Sequence, residues 1–119
     1  MNLTIVLGAS PNPDRFSNRA VRSLVRHGKP VAAVGYRSGE VAGINIQTGK
    51  PMIEDVHTIT VYMSPEHQKD YYDYMLSLHP QRIIFNPGAE NPEFYKICRE
   101  RDIKVIEDCT LILLNSGTF

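Results

Sequence analysis

The sequence predicts an α/β domain with a doubly wound, open parallel sheet of about five strands in the order 3-2-1-4-5. Three observations carry this expectation. Short runs rich in Val, Ile and aromatic residues recur along the chain, each bounded by Gly, Pro, Asn or Asp. They are nearly continuous in hydrophobicity rather than alternating, which suits strands covered on both faces. Segments of helical periodicity separate them, with connections short enough for right-handed βαβ crossovers.

Taken in order, the strand runs are Leu3 to Leu7, Val31 to Val34, Ile59 to Tyr62, Ile83 to Phe85 and Val105 to Ile106. The first helix is expected to start at Ser17 as N-cap, with Phe16 before it and Val21 inside forming a hydrophobic staple. Its apolar stripe is Ala20, Val21, Leu24 and Val25, and Gly28 supplies a left-handed exit. The second opens at Ser64-Pro65-Glu66, and Tyr71, Tyr74, Met75 and Leu78 then repeat at i, i+3, i+4 and i+7. The third uses the same grammar at Asn91-Pro92-Glu93, with Phe94, Ile97 and Cys98 facing inward and Asp102 taking the left-handed exit. Between Gly39 and Val56 the chain is Gly-rich, and a long loop with a short edge strand or a turn of helix is expected.

Composition bounds the function. A chain of 119 residues with 42% hydrophobic residues is expected to form one domain over 1–119, able to bury a core without metal or disulfide staples. No apolar run approaches the ~18 residues of a membrane span. Leu3 to Leu7 is too short for a signal peptide and lacks a basic flank. Cys98 and Cys109 form neither a CxxC pair nor a framework, so reduced thiols in a cytoplasmic protein are expected. The net charge is zero, but it divides unevenly. Residues 1 to 37 carry six bases (Arg15, Arg19, Arg22, Arg26, Lys29 and Arg37) against Asp14, a net +5. The rest carries −5. A basic first third points to an anionic ligand, although Arg19, Arg22 and Arg26 at helical spacing also suit a solvated face.

In an open α/β sheet, ligands bind beyond the carboxyl ends of the strands. The segment after the first strand, Gly8 to Arg19, has a glycine, a polar loop and then a helix N-terminus, the layout of a phosphate site. It is not G-x-G-x-x-G, since Ser10 and Pro13 stand where later glycines would fall, so the NAD fingerprint is weak. Ser10 and Asn18 can donate to phosphate and Arg15 can neutralise it; ordinary turn and capping chemistry is the competing account. The second strand ends Val34-Gly35-Tyr36-Arg37, without the acid that accepts from an unphosphorylated ribose. Arg37 there suits a phosphorylated ribose, as in NADP or coenzyme A, or is simply solvated. Tyr62-Met63-Ser64-Pro65 can line an adenine or pantetheine slot, and Gly88 of Asn86-Pro87-Gly88 permits close backbone approach. Ser64 and Pro65 are equally explained as a helix cap, and Gly88 as a turn glycine.

Catalytic patterns are missing. His57, His67 and His79 fall at loop or helix positions and, with His27 at a helix end, share no metal spacing. Cys109 follows Glu107-Asp108, an acidic setting that argues for a packed residue rather than a nucleophile. There is no nucleophile elbow and no P-loop.

The loop GASPNPDRFSNRAV, the strand-end Arg37, the YMSP turn and the ending IKVIEDCTLILL together resemble the small stand-alone CoA-binding domain proteins. These are related to the CoA-binding domain of the succinyl-CoA synthetase alpha subunit. The resemblance covers nearly the whole chain and implies a Rossmann-like sheet. By it, Gly8, Ala9, Ser10, Arg15 and Asn18 match the loop around the CoA pyrophosphate, and Arg37 the basic residue approaching the 3′-phosphate. It places Tyr62, Met63, Ser64 and Pro65 beside the adenine and pantetheine, and Asn86, Pro87 and Gly88 near the pantetheine arm. Many relatives have Asn-Pro after the second strand where this chain has Gly35-Tyr36, so the resemblance does not by itself carry the ribose contacts over to this place. The synthetase's phosphorylated histidine lies in a separate domain with no counterpart here. The expected function is therefore binding of coenzyme A or an acyl-CoA, without catalysis or metal. An NADP-dependent reductase and a protein-interaction module using the basic helix face are the alternatives. A membrane or nucleic-acid partner is not expected.

Overall fold

In this computed structural model, residues 2–119 are described. The elements run β1 (Leu3–Leu7), α1 (Phe16–Arg26), β2 (Val31–Val34), β3 (Gly39–Val41), β4 (Ile44–Gln47) and β5 (Val56–Val61). A broken helix follows, made of α2 (Pro65–Gln68), a 3₁₀ turn (Lys69–Tyr71) and α3 (Tyr72–Ser77). The chain ends with β6 (Arg82–Phe85), α4 (Pro92–Glu100), β7 (Lys104–Glu107) and α5 (Thr110–Ser116).

All strands join one mixed sheet of seven in the order β3-β4-β2-β1-β5-β6-β7. Only the β3–β4 pair is antiparallel. The doubly wound α/β class therefore stands, but the strand count and order need correction. The strand after β2 in the expected order, the Ile59 run, lies instead on the far side of β1, in β5. Its expected place beside β2 is taken by β4, from the segment expected to be mostly loop. With β4 counted as third strand, the six parallel strands read 3-2-1-4-5-6, and β3 is added antiparallel at the edge. Strand order reverses between β1 and β5, which makes their carboxyl ends the switch point.

Side-chain alternation divides the core between two faces. Ile5 and Leu7 of β1 join Ile59, Val61, Met75 and Phe94 under α3 and α4. Val6 faces the opposite way, with Ala33, Ile46, Val21, Leu24 and Leu114 under α1 and α5. The expected stripe of Tyr71, Tyr74, Met75 and Leu78 is buried. Asn91 caps α4 by accepting from the Phe94 N–H at 3.2 Å, and Gly28 (φ 71°) and Asp102 (φ 59°) are left-handed helix exits as expected. The start of α1 is corrected: Arg15 is its N-cap, and Phe16 opens the helix with its side chain 64% exposed, so no staple forms. β5 begins at Val56, which places His57 on a strand. α5 is an additional helix, ended by Gly117 at φ 74°. No helix among the described residues is long and apolar enough to cross a membrane.

Candidate functional site

The loop between β1 and α1 is held from several sides. Gly8 has φ 96°, and a Cβ there would lie 3.1 Å from the Tyr62 carbonyl. Gly35, the residue after β2, is pressed so closely to the loop that a Cβ would come within 2.1 Å of the Ala9 carbonyl oxygen. Ser10 Oγ accepts from the Asn12 N–H (3.1 Å), and Asn12 Oδ1 accepts from the Asp14 N–H (3.0 Å). From inside α1, Asn18 Nδ2 donates to the Ser10 carbonyl at 2.9 Å. Arg22 then donates to Asn18 Oδ1 and to the Pro13 carbonyl, at 2.8 and 3.0 Å. The loop thus ends on a helix whose first turn has neither a side-chain cap nor an acid. Uncapped N–H groups of that turn carry the positive end of the helix dipole.

Next to it, Tyr36 and Arg37 follow β2. Tyr36 is 60% exposed, donates to Met63 Sδ at 3.9 Å and sets its ring edge-on to His67 and Tyr71. Burial of its hydroxyl, with Tyr71 and Asp70 nearby, pushes the Tyr36 pKa up. After β5 comes Tyr62, whose hydroxyl is buried without a hydrogen bond; burial pushes its pKa up to about 12. Its neighbours Thr60 and Thr110 are occupied with each other at 2.7 Å. Ser64 is the N-cap of α2 by position, but its hydroxyl pairs with the His67 ring at 3.0 Å instead of a backbone N–H.

Three buried amides join the walls. Gln68, fully buried, donates from Nε2 to the carbonyls of Met63 (2.7 Å) and Ala89 (2.8 Å), tying the loop after β5 to the loop after β6. Asn91 Nδ2 donates to Gln68 Oε1 at 2.9 Å. Asn86 donates to Thr60 Oγ1 and the Val61 carbonyl and accepts from the Thr110 N–H, docking α5 against the strand ends. Gly88 (φ 94°) has open space at its Cβ position.

These loops enclose a cleft of about 1030 Å³ across the carboxyl ends of β2, β1, β5, β6 and β7. At about 4.8 Å per strand interval, that row is about 19 Å long. Of the residues expected at the site, Gly8, Ala9, Ser10, Arg15, Arg37, Tyr62, Met63, Ser64, Asn86, Pro87 and Gly88 line it. Asn18, Gly35 and Pro65 lie behind the wall, the first two shaping the β1–α1 loop and Pro65 opening α2. Beyond that expected set the lining includes Phe16, Tyr36, His67, Leu111 and Ile112. Cys109, expected to be packed, is instead half-buried in the cleft wall at the start of α5. A separate depression of about 240 Å³ between α1 and α5 gathers Arg19, Arg22 and Arg26.

Comparison with known proteins agrees with this architecture. A family model described as a CoA binding domain matches residues 3–115. A crystal structure of an uncharacterized protein is 44% identical with a TM-score of 0.96, covering 100% of this chain and 98% of its own. A Thermus thermophilus structure is 25% identical with a TM-score of 0.87, covering 99% and 90%. A hypothetical protein from Pyrococcus horikoshii, 19% identical with a TM-score of 0.84 over 97% and 82% of the two chains, shares the fold. No curated protein matches the chain.

Proposed function

The chain belongs to the CoA binding domain family, and we propose that it is a cytoplasmic protein that binds coenzyme A or an acyl-CoA and carries out no reaction on it alone. The observation that carries this reading is that one cleft at the strand ends is lined by Arg15, Arg37 and the uncapped first turn of α1. Ser10 and Arg15 with the first turn of α1 would hold the pyrophosphate, because a helix N-terminus and a guanidinium suit its charge, while Gly8 and Ala9, whose N–H groups donate to the Val34 carbonyl at 2.8 and 3.0 Å, would form the floor beneath it. Asn18 and Gly35 keep that loop in shape. Arg37 would take the 3′-phosphate, and the exposed Tyr36 ring offers adenine a stacking surface. Tyr62, Met63 and Ser64 on one side and Asn86 to Gly88 on the other would flank the pantetheine arm.

Titration calorimetry with CoA, dephospho-CoA, NADP and NAD tests the reading. CoA is expected to bind about tenfold tighter than dephospho-CoA, the scale of one charge-assisted hydrogen-bonding contact. Arg37→Ala should bring CoA down to the dephospho-CoA level. Absence of CoA binding would overturn the proposal, and tight NADP binding in its place would support a reductase.

A further inference from the structure

Three arginines of α1 stand outside the cleft. Arg19, Arg22 and Arg26 are exposed and line the depression between α1 and α5, together with Ser23, Leu111 and Asn115. Among the described residues, no acid lies in that lining. α1 itself contains no acid and α5 no charged residue. The face made by the two helices therefore carries three positive charges that nothing on either helix offsets.

Arginines on a merely solvated helix face would be free to move, and two of these are held. Arg22 donates from Nε to Asn18 Oδ1 at 2.8 Å and from Nη2 to the Pro13 carbonyl at 3.0 Å, which leaves its other N–H groups for a partner. The Arg19 guanidinium lies 5.2 Å from the centre of the Phe16 ring. Holding these side chains beforehand lowers the entropy cost that weakens most surface ion pairs.

Size, spacing and charge decide what fits. At about 240 Å³ the depression is smaller than the ~300–1,000 Å³ of pockets that enclose small molecules, so it suits inserted side chains better than a whole ligand. With a rise of about 1.5 Å per residue, the three arginines are spaced at about 4.5 and 6 Å along α1. A second helix with carboxylates at i, i+3 and i+7 repeats that spacing. Leu111 and Asn115, one turn apart on α5, offer it an apolar and a polar contact. A second copy of this chain fits poorly, because a two-fold contact through this face would set three positive charges against three. We infer that the α1–α5 face docks an acidic helix of a partner protein, its carboxylates paired with Arg19, Arg22 and Arg26. The face shares only Leu111 with the cleft lining, and the inference does not depend on what the cleft binds.

The probe is a helix-stabilised, Ala-based peptide of about 15 residues with Glu at i, i+3 and i+7. One control scatters the same glutamates around the helix, and another replaces them with Lys. Fluorescence anisotropy at about 0.05 M salt should show the row-matched peptide binding about tenfold tighter than the scattered one, the scale of two surface ion pairs. Arg19→Glu with Arg26→Glu should remove that preference and take up the Lys peptide instead. Arg26→Gln, a change of charge alone, should lose about threefold, so the test does not hang on how the double variant folds. Equal binding of the two Glu peptides, or a preference that survives in the double variant, would overturn the inference. Tighter binding of an oligothymidylate than of the row-matched peptide would also overturn it, in favour of nucleic acid. Self-association in sedimentation that the double variant abolishes would overturn it in favour of a second copy.

Discussion

At His57, a single side chain connects the sheet to pH. Its Nδ1 pairs with Thr58 Oγ1 at 2.8 Å, and the same Oγ1 accepts from Arg82 Nε at 2.8 Å. Burial, followed by the charge of Arg82, lowers the His57 pKa from its usual 6.5. The unfolded chain therefore takes up this proton at higher pH than the folded one. His57 costs nothing above pH 6.5, and its destabilising effect grows as pH falls from there through the folded value. Urea midpoints measured at about pH 7.5 and pH 5.5 should show a loss of stability on acidification that His57→Gln reduces. An unchanged loss in the variant would mean that other groups cause it. Gly35 illustrates the limits of sequence at this scale. It was legible as a strand-ending glycine near a ligand, yet its requirement comes from the Ala9 carbonyl, 26 positions away in the chain and visible only in three dimensions.

Among the elements, α5 depends most on one residue outside itself. Its N-cap, Cys109, makes no side-chain cap, and the helix is only seven residues long. The Thr110 N–H is satisfied from β6 by Asn86 Oδ1 at 2.9 Å, and both protons of the Asn86 amide are used on β5. Asn86→Ala would leave the buried Thr110 N–H unpaired, at a cost of about 1–3 kcal/mol, while Thr60 keeps its bond to Thr110 Oγ1. Denaturant unfolding should register that loss, with faster amide exchange in the first turn of α5; unchanged exchange there would contradict the docking role. The elements called for by strong local signals were legible, as with Pro65 opening α2 and Asn91 capping α4. The β3–β4 hairpin was not. Its two-residue turn places Ala42 (φ 51°) and Gly43 (φ 81°) where Asn-Gly is the usual signal, and its strands have only three and four residues. Overlooking β4 displaced the third expected strand to the wrong side of β1. The cleft's apolar residues were hidden for another reason: Phe16 and Ile112 have the composition of core residues, and only the fold shows them exposed.

Over the whole molecule, the +5 of residues 1–37 would act on the proposed anionic ligand in two ways, by contact and by field. The structure separates them. Arg15 and Arg37 line the cleft, whereas Arg26 belongs only to the depression between α1 and α5, and Arg19 reaches the cleft only through Phe16. Arg22 is unsuited to a charge test because it braces the β1–α1 loop through Asn18 and Pro13. The informative pair is therefore Arg19→Glu with Arg26→Glu. Both charges are set back from the proposed phosphate positions and act through water, where the screening length is about 10 Å at 0.1 M salt and about 3 Å at 1 M. The double variant should weaken CoA binding severalfold at about 0.02 M salt, mainly by slowing association, and match the unaltered protein near 1 M. Arg37→Ala, which removes a contact, should keep most of its effect at both salt concentrations. Affinity and association rate measured at the two salt levels distinguish the cases. A salt-independent loss of more than about tenfold in the double variant would place the α1 arginines against the ligand and shift the phosphate site from the strand ends to the helix face.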